Sequence, residues 1–443
     1  MADEAVLRAA LAEGGLPARL ALADHLLRDG RAEEADRILA DAVTAAADRE
    51  ERVRAVTARV LHQQFHTPEP RDVEPVLAHA EAAAGGPEPA LDALRGGALV
   101  ACANLDEGLA LADAVLADAD ALDPAVAIAV WAVGTARALN GRSERLAELV
   151  DRGLAAAARV PELAGLQPQL ADLEILDADL RGRPDLLHRR LRWVRDVLPL
   201  AEASEWTALF EVRMAVSAGR PRHAIETVGR ALATATGRGG NARVALLAAM
   251  VARCQGALGD AAAARAALEH AEAHQDPAIG IHDFELDLAR AWTAAAEGDL
   301  EVAVGHCRDG ADRCRTHGLH AAEVLMRQTA VRLGGGDQLA RLTELDRMLD
   351  TPRAHLAAAH AAAVGSHDGE RLLVIADALE EAGMCLEAAD AAAQAVVFVR
   401  HRHRPTVQAA AEDRARELAA TGEGAHTPAL LAALGGTDAA ATA

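Results

Sequence analysis

The sequence predicts an all-α fold, an α-solenoid in which short helix-turn-helix pairs stack along one continuous core. Three observations predict it. Hydrophobic residues make up 51% of the 443 residues while aromatics are only 2% and Tyr is absent, so the apolar surface is Ala, Leu and Val. Ala and Leu, with the abundant Arg and Glu, lose little side-chain freedom in a helix, whereas the aromatics that fill strands are scarce. The second observation is a repeated glycine turn, and the third is apolar residues at helical spacing on both sides of it.

The turn has the form Gly, four residues, then a small or Leu residue: Gly30 to Ala35, Gly141 to Leu146, Gly182 to Leu187, Gly219 to Ala224, Gly259 to Ala264, Gly298 to Ala303, Gly335 to Ala340 and Gly383 to Ala388. Pro68 to Val73 and Asn104 to Leu109 are degenerate members. The successive steps are 38, 36, 37, 41, 37, 40, 39, 37 and 48 residues. Each Gly supplies the left-handed residue that ends a helix without steric cost. In the pair around Gly298, Leu288, Ala291, Trp292 and Ala295 share a face before the turn, and Val302, Ala303, His306 and Cys307 share one after it. Neither helix buries its face alone, so pairs must stack.

Other punctuation agrees. Pro87, Pro161, Pro184, Pro221, Pro277, Pro352 and Pro405 fall between helices or in a first turn, where a missing amide hydrogen is harmless. Gly237 to Gly240 and Gly334 to Gly336 read as loops. The long step from Gly335 to Gly383 leaves room for an additional helical element, Thr351 to Ala363. The whole predicts one repeat domain, residues 1–433, and a frayed, disordered tail, residues 434–443.

Composition excludes several functions. The chain contains no Lys, so its 45 basic residues are all Arg; P-loop, kinase and Schiff-base chemistry, which need Lys, are not expected. A net charge of -22 opposes direct nucleic-acid binding. Five scattered Cys give no disulfide framework, and the N-terminus lacks the pattern of a signal peptide. The longest apolar stretches, Ala125 to Val133 and Val244 to Ala252, are too short to cross a bilayer, so a cytoplasmic location is expected.

The closing segment resembles a known family. Leu372-Leu-Val-Ile-Ala-Asp-Ala-Leu-Glu-Glu-Ala-Gly383, Glu387-Ala-Ala-Asp-Ala-Ala-Ala-Gln-Ala395 and Arg414 to Leu430, with its run Gly424-Ala-His-Thr-Pro-Ala-Leu430, look like the last repeats of large ATP-dependent LuxR-type transcriptional regulators. The resemblance implies a tetratricopeptide-like region of about ten pairs forming a right-handed superhelix, with a role in signalling or transcriptional control. No P-loop precedes these repeats and about a dozen residues follow Leu430, so the likeness extends to neither the family's ATPase nor its helix-turn-helix domain.

Each candidate site also has a plainer role. His270-Ala-Glu-Ala-His274 puts two imidazoles on one helical face, with His282 and Asp283 following after a turn, a spacing that can grip a metal; Glu272 points away from the pair, and a helix end favours His in any case. Cys307 and Cys314 share a face near His306, His317 and His320, although Cys is commonly a buried small residue. Arg400-His-Arg-His-Arg404 and Arg181 to Arg195 are the densest basic clusters, readily explained as solvated faces. Trp131, Trp193, Trp206 and Trp292 could line a groove or wedge the core. No nucleophile motif is present.

The expectation is therefore a non-enzyme, with no catalytic, cofactor or metal residues assigned and the partner-binding residues unknown. It would bind a protein, peptide or small inducer on a concave face made by first helices. The alternative is a metal-binding protein or hydrolase using the His270 to Asp283 region.

Overall fold

The computed structural model describes residues 4–66, 72–183, 200–235, 241–276, 279–401 and 405–435, together with residues 186, 190 and 193. Among them the chain forms 23 α-helices. These are α1 (Glu4–Glu13), α2 (Leu16–Arg28), α3 (Ala32–Ala45), α4 (Arg49–His66), α5 (Glu74–Ala84), α6 (Asp92–Ala101), α7 (Leu105–Ala117), α8 (Asp123–Asn140), α9 (Leu146–Ala158) and α10 (Gln167–Arg181). They continue with α11 (Leu200–Ser217), α12 (Pro221–Ala235), α13 (Asn241–Ala257), α14 (Ala261–Ala273), α15 (Asp283–Ala296), α16 (Leu300–Thr316) and α17 (His320–Arg332). The last are α18 (Leu339–Leu349), α19 (Pro352–Gly365), α20 (Gly369–Glu381), α21 (Cys385–His401), α22 (Pro405–Thr421) and α23 (Pro428–Leu434).

Helices pack in sequential pairs, such as α2 on α3, α6 on α7, α13 on α14, α15 on α16 and α21 on α22. First helices also pack on the first helix of the following pair, as α6 on α8, α8 on α10, α13 on α15 and α17 on α19. First helices are buried nearly all round. In α15 every residue from Phe284 to Ala295 except Arg290 is buried, and in α17 every residue from Ala321 to Arg332. Second helices bury one stripe: α16 buries Ala303, Val304, Cys307, Gly310, Ala311 and Cys314. That stripe is turned relative to the one expected from sequence, and Val302 is 45% exposed.

The turns have one recurring hydrogen-bond pattern. At Gly219, with φ at 68°, the Gly219 amide donates to Val216 O and the Arg220 amide to Ala215 O, which satisfies two carbonyls orphaned at the end of α11. The next helix starts at once, capped in several pairs by an acidic side chain: Asp260 accepts from Ala263 N, Asp299 from Val302 N and Asp368 from Arg371 N. Gly30, Gly141, Gly182, Gly259 and Gly298 occupy the equivalent left-handed position.

Three members of the sequence series need correction, and one turn must be added. The left-handed residue after α17 is Gly334, at φ 97°, not Gly335. The loop there is longer, so Ala340 is exposed and Leu342, the fourth residue of α18, takes the buried place that Ala303 fills in α16. In the Asn104 turn the left-handed residue is Ala103. The added turn removes the 48-residue step. His367, at φ 53°, closes the turn between α19 and α20 with the same bonds, His367 N to Val364 O and Asp368 N to Ala363 O. Pro352–Gly365 is thus the first helix of its own pair. Gly383 belongs to the other kind of turn, between pairs, where Gly318 also sits. Residues 67–71, 184, 185, 187–189, 236–240, 277, 278 and 436–443 lie outside the described residues, and with them Pro68, Pro184, Leu187, Pro277, the Gly237 to Gly240 loop and most of the expected tail. Helix α23 itself reaches Leu434.

A second regularity has no counterpart in the sequence periodicity. The turn closing one pair meets the start of a first helix five pairs later. Cys102 O lies 3.6 Å from the Cβ position of Gly280, and His317 Nδ1 is 3.1 Å from Ala103 O. Asn140 Nδ2 donates to Gly318 O, Arg353 donates to Asp179 O, and Glu423 Oε2 accepts from the amides of Arg222 and His223. Finally the His426 amide donates to Ala257 O. Helix α17 packs directly on α8 and α10, and α19 on α10. The first helices, buried nearly all round, are thus the inner helices, and those of distant pairs touch one another.

Candidate functional site

Polar side chains that would ordinarily lie at a surface converge where these inner helices meet. Helix α10 supplies Asp172 and Asp179, α11 Arg213, α13 Arg253, α15 Glu285 and Trp292, α17 Gln328 and Arg332, α19 Arg353 and His360, and α21 Glu387 and Asp390. All but Asp179 are buried. Ions in such surroundings need partners, because desolvation costs several kcal/mol per ion.

The partners form two groups of contacts, one around Arg213 and one around Arg332 and Arg353. Arg213 lies 3.4 Å from Glu285 and 3.6 Å from Asp172, and Arg253 lies 3.7 Å from Glu285. Arg332 donates from Nε to Asp390 Oδ2 at 2.7 Å, and its Nη1 stands 3.5 Å from Glu387 Oε1. Arg353 Nη1 reaches the same Glu387 oxygen at 3.5 Å and donates to Gln328 Oε1 at 2.9 Å. The Arg332 guanidinium also lies over the Trp292 ring, 4.8 Å from its centroid. Thr427, the cap of α23, donates its hydroxyl to Asp390 Oδ1, and Ser217 donates to Asp179.

The electrostatics are uneven. Burial works to raise the Glu387 carboxyl, but Arg332, Arg353 and Arg253 together outweigh it and hold the group below its usual range. At Asp390 and Asp172 burial wins over the neighbouring Arg332 and Arg213, and both carboxyls are pushed up. Burial lowers His360 to about 4 and His282 to about 3, the latter helped by Arg213, so both imidazoles are neutral at pH 7.

The residues singled out in the sequence have other placements. The rings of His270 and His274 lie with centroids 4.4 Å apart and planes tilted by 54°, and His274 Nδ1 is engaged with His270 O. Glu272 accepts from Arg290, and Asp283 accepts from Gln275. His282, Asp283, Gln275, Asp276 and Glu285 do line a small pocket of about 30 Å³, floored by Ala245 and Ala249 of α13. This is room for a water or two. Among the described residues, three His, Cys or acidic groups close on a common point at Glu4, His25 and Asp29; the Glu4 carboxylate there already accepts from Arg8 and Arg31.

Cys307 and Cys314 are buried in the α16 stripe, and burial pushes both thiols up, Cys307 to about 12. His317 is committed to Ala103 O, and His320 lies 3.5 Å from Glu323. In the basic clusters, Arg190 is paired with Glu174 and Asp151 and lies over Trp193, and Arg400 donates to Ala433 O; residues 402–404 lie outside the described part. Trp292 is a core residue, Trp131 and Trp193 are half-buried, and the side chain of Trp206 is outside the described part.

Sequence reasoning missed the interior charges. One signal was present: single ionised residues inside otherwise apolar runs, such as Val212-Arg213-Met-Ala-Val216 and Ala330-Val-Arg332-Leu333. A helix buried on all sides has no polar face to excuse them. The chain matches no protein-family model and no curated protein. Among the described residues no helix is long and apolar enough to cross a membrane.

Proposed function

We propose that the chain is a tetratricopeptide-like α-solenoid that acts as a non-catalytic interaction or ligand-sensing module, of the kind that the LuxR-type resemblance at residues 372–430 implies for signalling or transcriptional control. The observation that carries this reading is the stacking of helix pairs, first helix on first helix, into one continuous body. A fold of this type grows by adding units and presents a long surface built from equivalent positions.

The contacts between pairs five apart refine the reading. They fill the inner face with the chain's own side chains, so a folded protein partner is better accommodated on the outer surface of the second helices, while the interior suits only a small species. The test is affinity purification of the full chain from its native cytoplasm, with protein, small-molecule and metal content measured on the same sample. A stoichiometric protein partner supports the module. One tightly held metal per chain, lost on His282→Ala, together with hydrolytic activity and no partner, would overturn it in favour of the His270 to Asp283 alternative.

A further inference from the structure

We propose that the interior holds a small monovalent anion, of the size class of chloride or formate, bound between Trp292, Gln328 and Arg332. These three side chains are 1%, 1% and 2% exposed. Each keeps a buried donor without a hydrogen-bond partner: Trp292 Nε1, Gln328 Nε2 and Arg332 Nη2. Buried donors are nearly always satisfied, and leaving one unmade costs about 1–3 kcal/mol.

The three belong to one place. Gln328 and Arg332 are one helical turn apart on α17 and so share a face. Arg332 lies over Trp292, and Gln328 connects back to Arg332 through Arg353 and the Glu387 oxygen that both guanidinium groups approach. Three neighbouring N–H groups without a partner, one of them charged, describe an acceptor's site rather than a cation's.

The near-complete burial excludes a large ligand, which is why the anion must be small. The inference goes beyond the module reading, since a purely structural anion would leave that reading untouched.

The experiment is thermal unfolding of the full chain, dialysed free of halide, in sodium chloride, sodium formate or sodium gluconate at matched ionic strength. Chloride and formate are expected to raise the midpoint saturably, and gluconate, too large to enter, is not. Gln328→Leu and Trp292→Phe each delete one donor and keep an apolar side chain. Each is expected to raise the chloride concentration giving half the shift by about tenfold or more, in line with losing one hydrogen bond to an ion. Broadening of the chloride NMR line by wild type, reversed by formate, gives a readout independent of unfolding. Equal midpoints in the three salts without line broadening would mean that water alone satisfies these donors, and would overturn the proposal. An unchanged chloride response in both variants would place the ion elsewhere and overturn it equally.

Discussion

Arg353, in the first turn of α19, donates from Nε and Nη2 to the carbonyl oxygen of Asp179, 3.3 and 3.2 Å away and 174 residues earlier in the chain. One side chain thus ties together the two long-range features of the molecule. Its Nε edge caps the end of α10, fixing the contact between pairs five apart, and its Nη1 enters the buried charge network through Gln328 and Glu387.

Arg353→Met is therefore expected to destabilise the fold by about 3 kcal/mol or more, because it strips one of the cations from a buried carboxylate. Glu387→Gln alone should also destabilise. If the two groups are coupled as the distances state, the double variant should lose less than the sum of the singles, a difference that denaturant unfolding of the four proteins measures. Strict additivity would mean that Arg353 acts only through the Asp179 carbonyl.

Gly219 and Gly30 separate the two reasons for a glycine. Both have left-handed φ, 68° and 75°. A Cβ on Gly30 meets nothing within 4 Å, whereas one on Gly219 would stand 3.0 Å from Leu386 N and 3.1 Å from Cys385 Cβ. Gly30→Ala should cost about 1 kcal/mol for the backbone alone. Gly219→Ala should cost clearly more, since α21 must also shift. Equal losses in urea titrations would remove the close approach as a constraint.

The same comparison shows what was legible in the sequence. Helices, their pairing and most turns could be read, because a left-handed residue between two apolar-periodic runs is a local requirement and Gly meets it most cheaply. His367 hid one turn and Ala103 displaced another by one residue, since a non-glycine residue can adopt the same conformation at a modest cost. Gly383 misled, because turns within and between pairs use identical hydrogen bonds. The contacts between pairs five apart were invisible, as they depend on how far each pair rotates relative to the last. For the same reason Arg213, Arg332 and Arg353 read as ordinary polar residues until their neighbours were in place.

His360 makes stability depend on pH. In the unfolded chain His titrates near 6.5, but burial lowers it to about 4 in the fold. Between these values the unfolded chain binds a proton that the folded chain refuses, so stability falls as pH drops from 6.5 toward 4 and is unaffected by this group above 6.5. His282 acts in the same direction. Glu323, held at about 2 by Arg341, His320 and Arg327 against its burial, weakens the fold only below its ordinary range near 4.5. Urea midpoints at pH 7 and pH 5 should therefore differ in wild type. His360→Gln, whose amide extends as far as the Nε2 that meets Gln394 Oε1, should flatten part of that slope. An unchanged slope would show that His360 is protonated in the fold.

The thiols distinguish a packed core from a metal site. Cys254, Cys307 and Cys314 are buried and Cys102 is exposed; burial raises Cys254 and Cys307 to about 12. Reaction with a thiol reagent requires both access and thiolate, and these three groups have neither at pH 8. A chromogenic disulfide reagent should thus modify Cys102 first and leave Cys254, Cys307 and Cys314 untouched until denaturant is added. A zinc site at Cys307 and Cys314 would also protect them, but by a different route: a strong chelator would then release two fast-reacting thiols from the otherwise native protein. If protection comes from packing, the chelator changes nothing, and labelling of Cys307 follows the global unfolding transition, because α16 cannot expose its buried stripe without leaving α15 and α17.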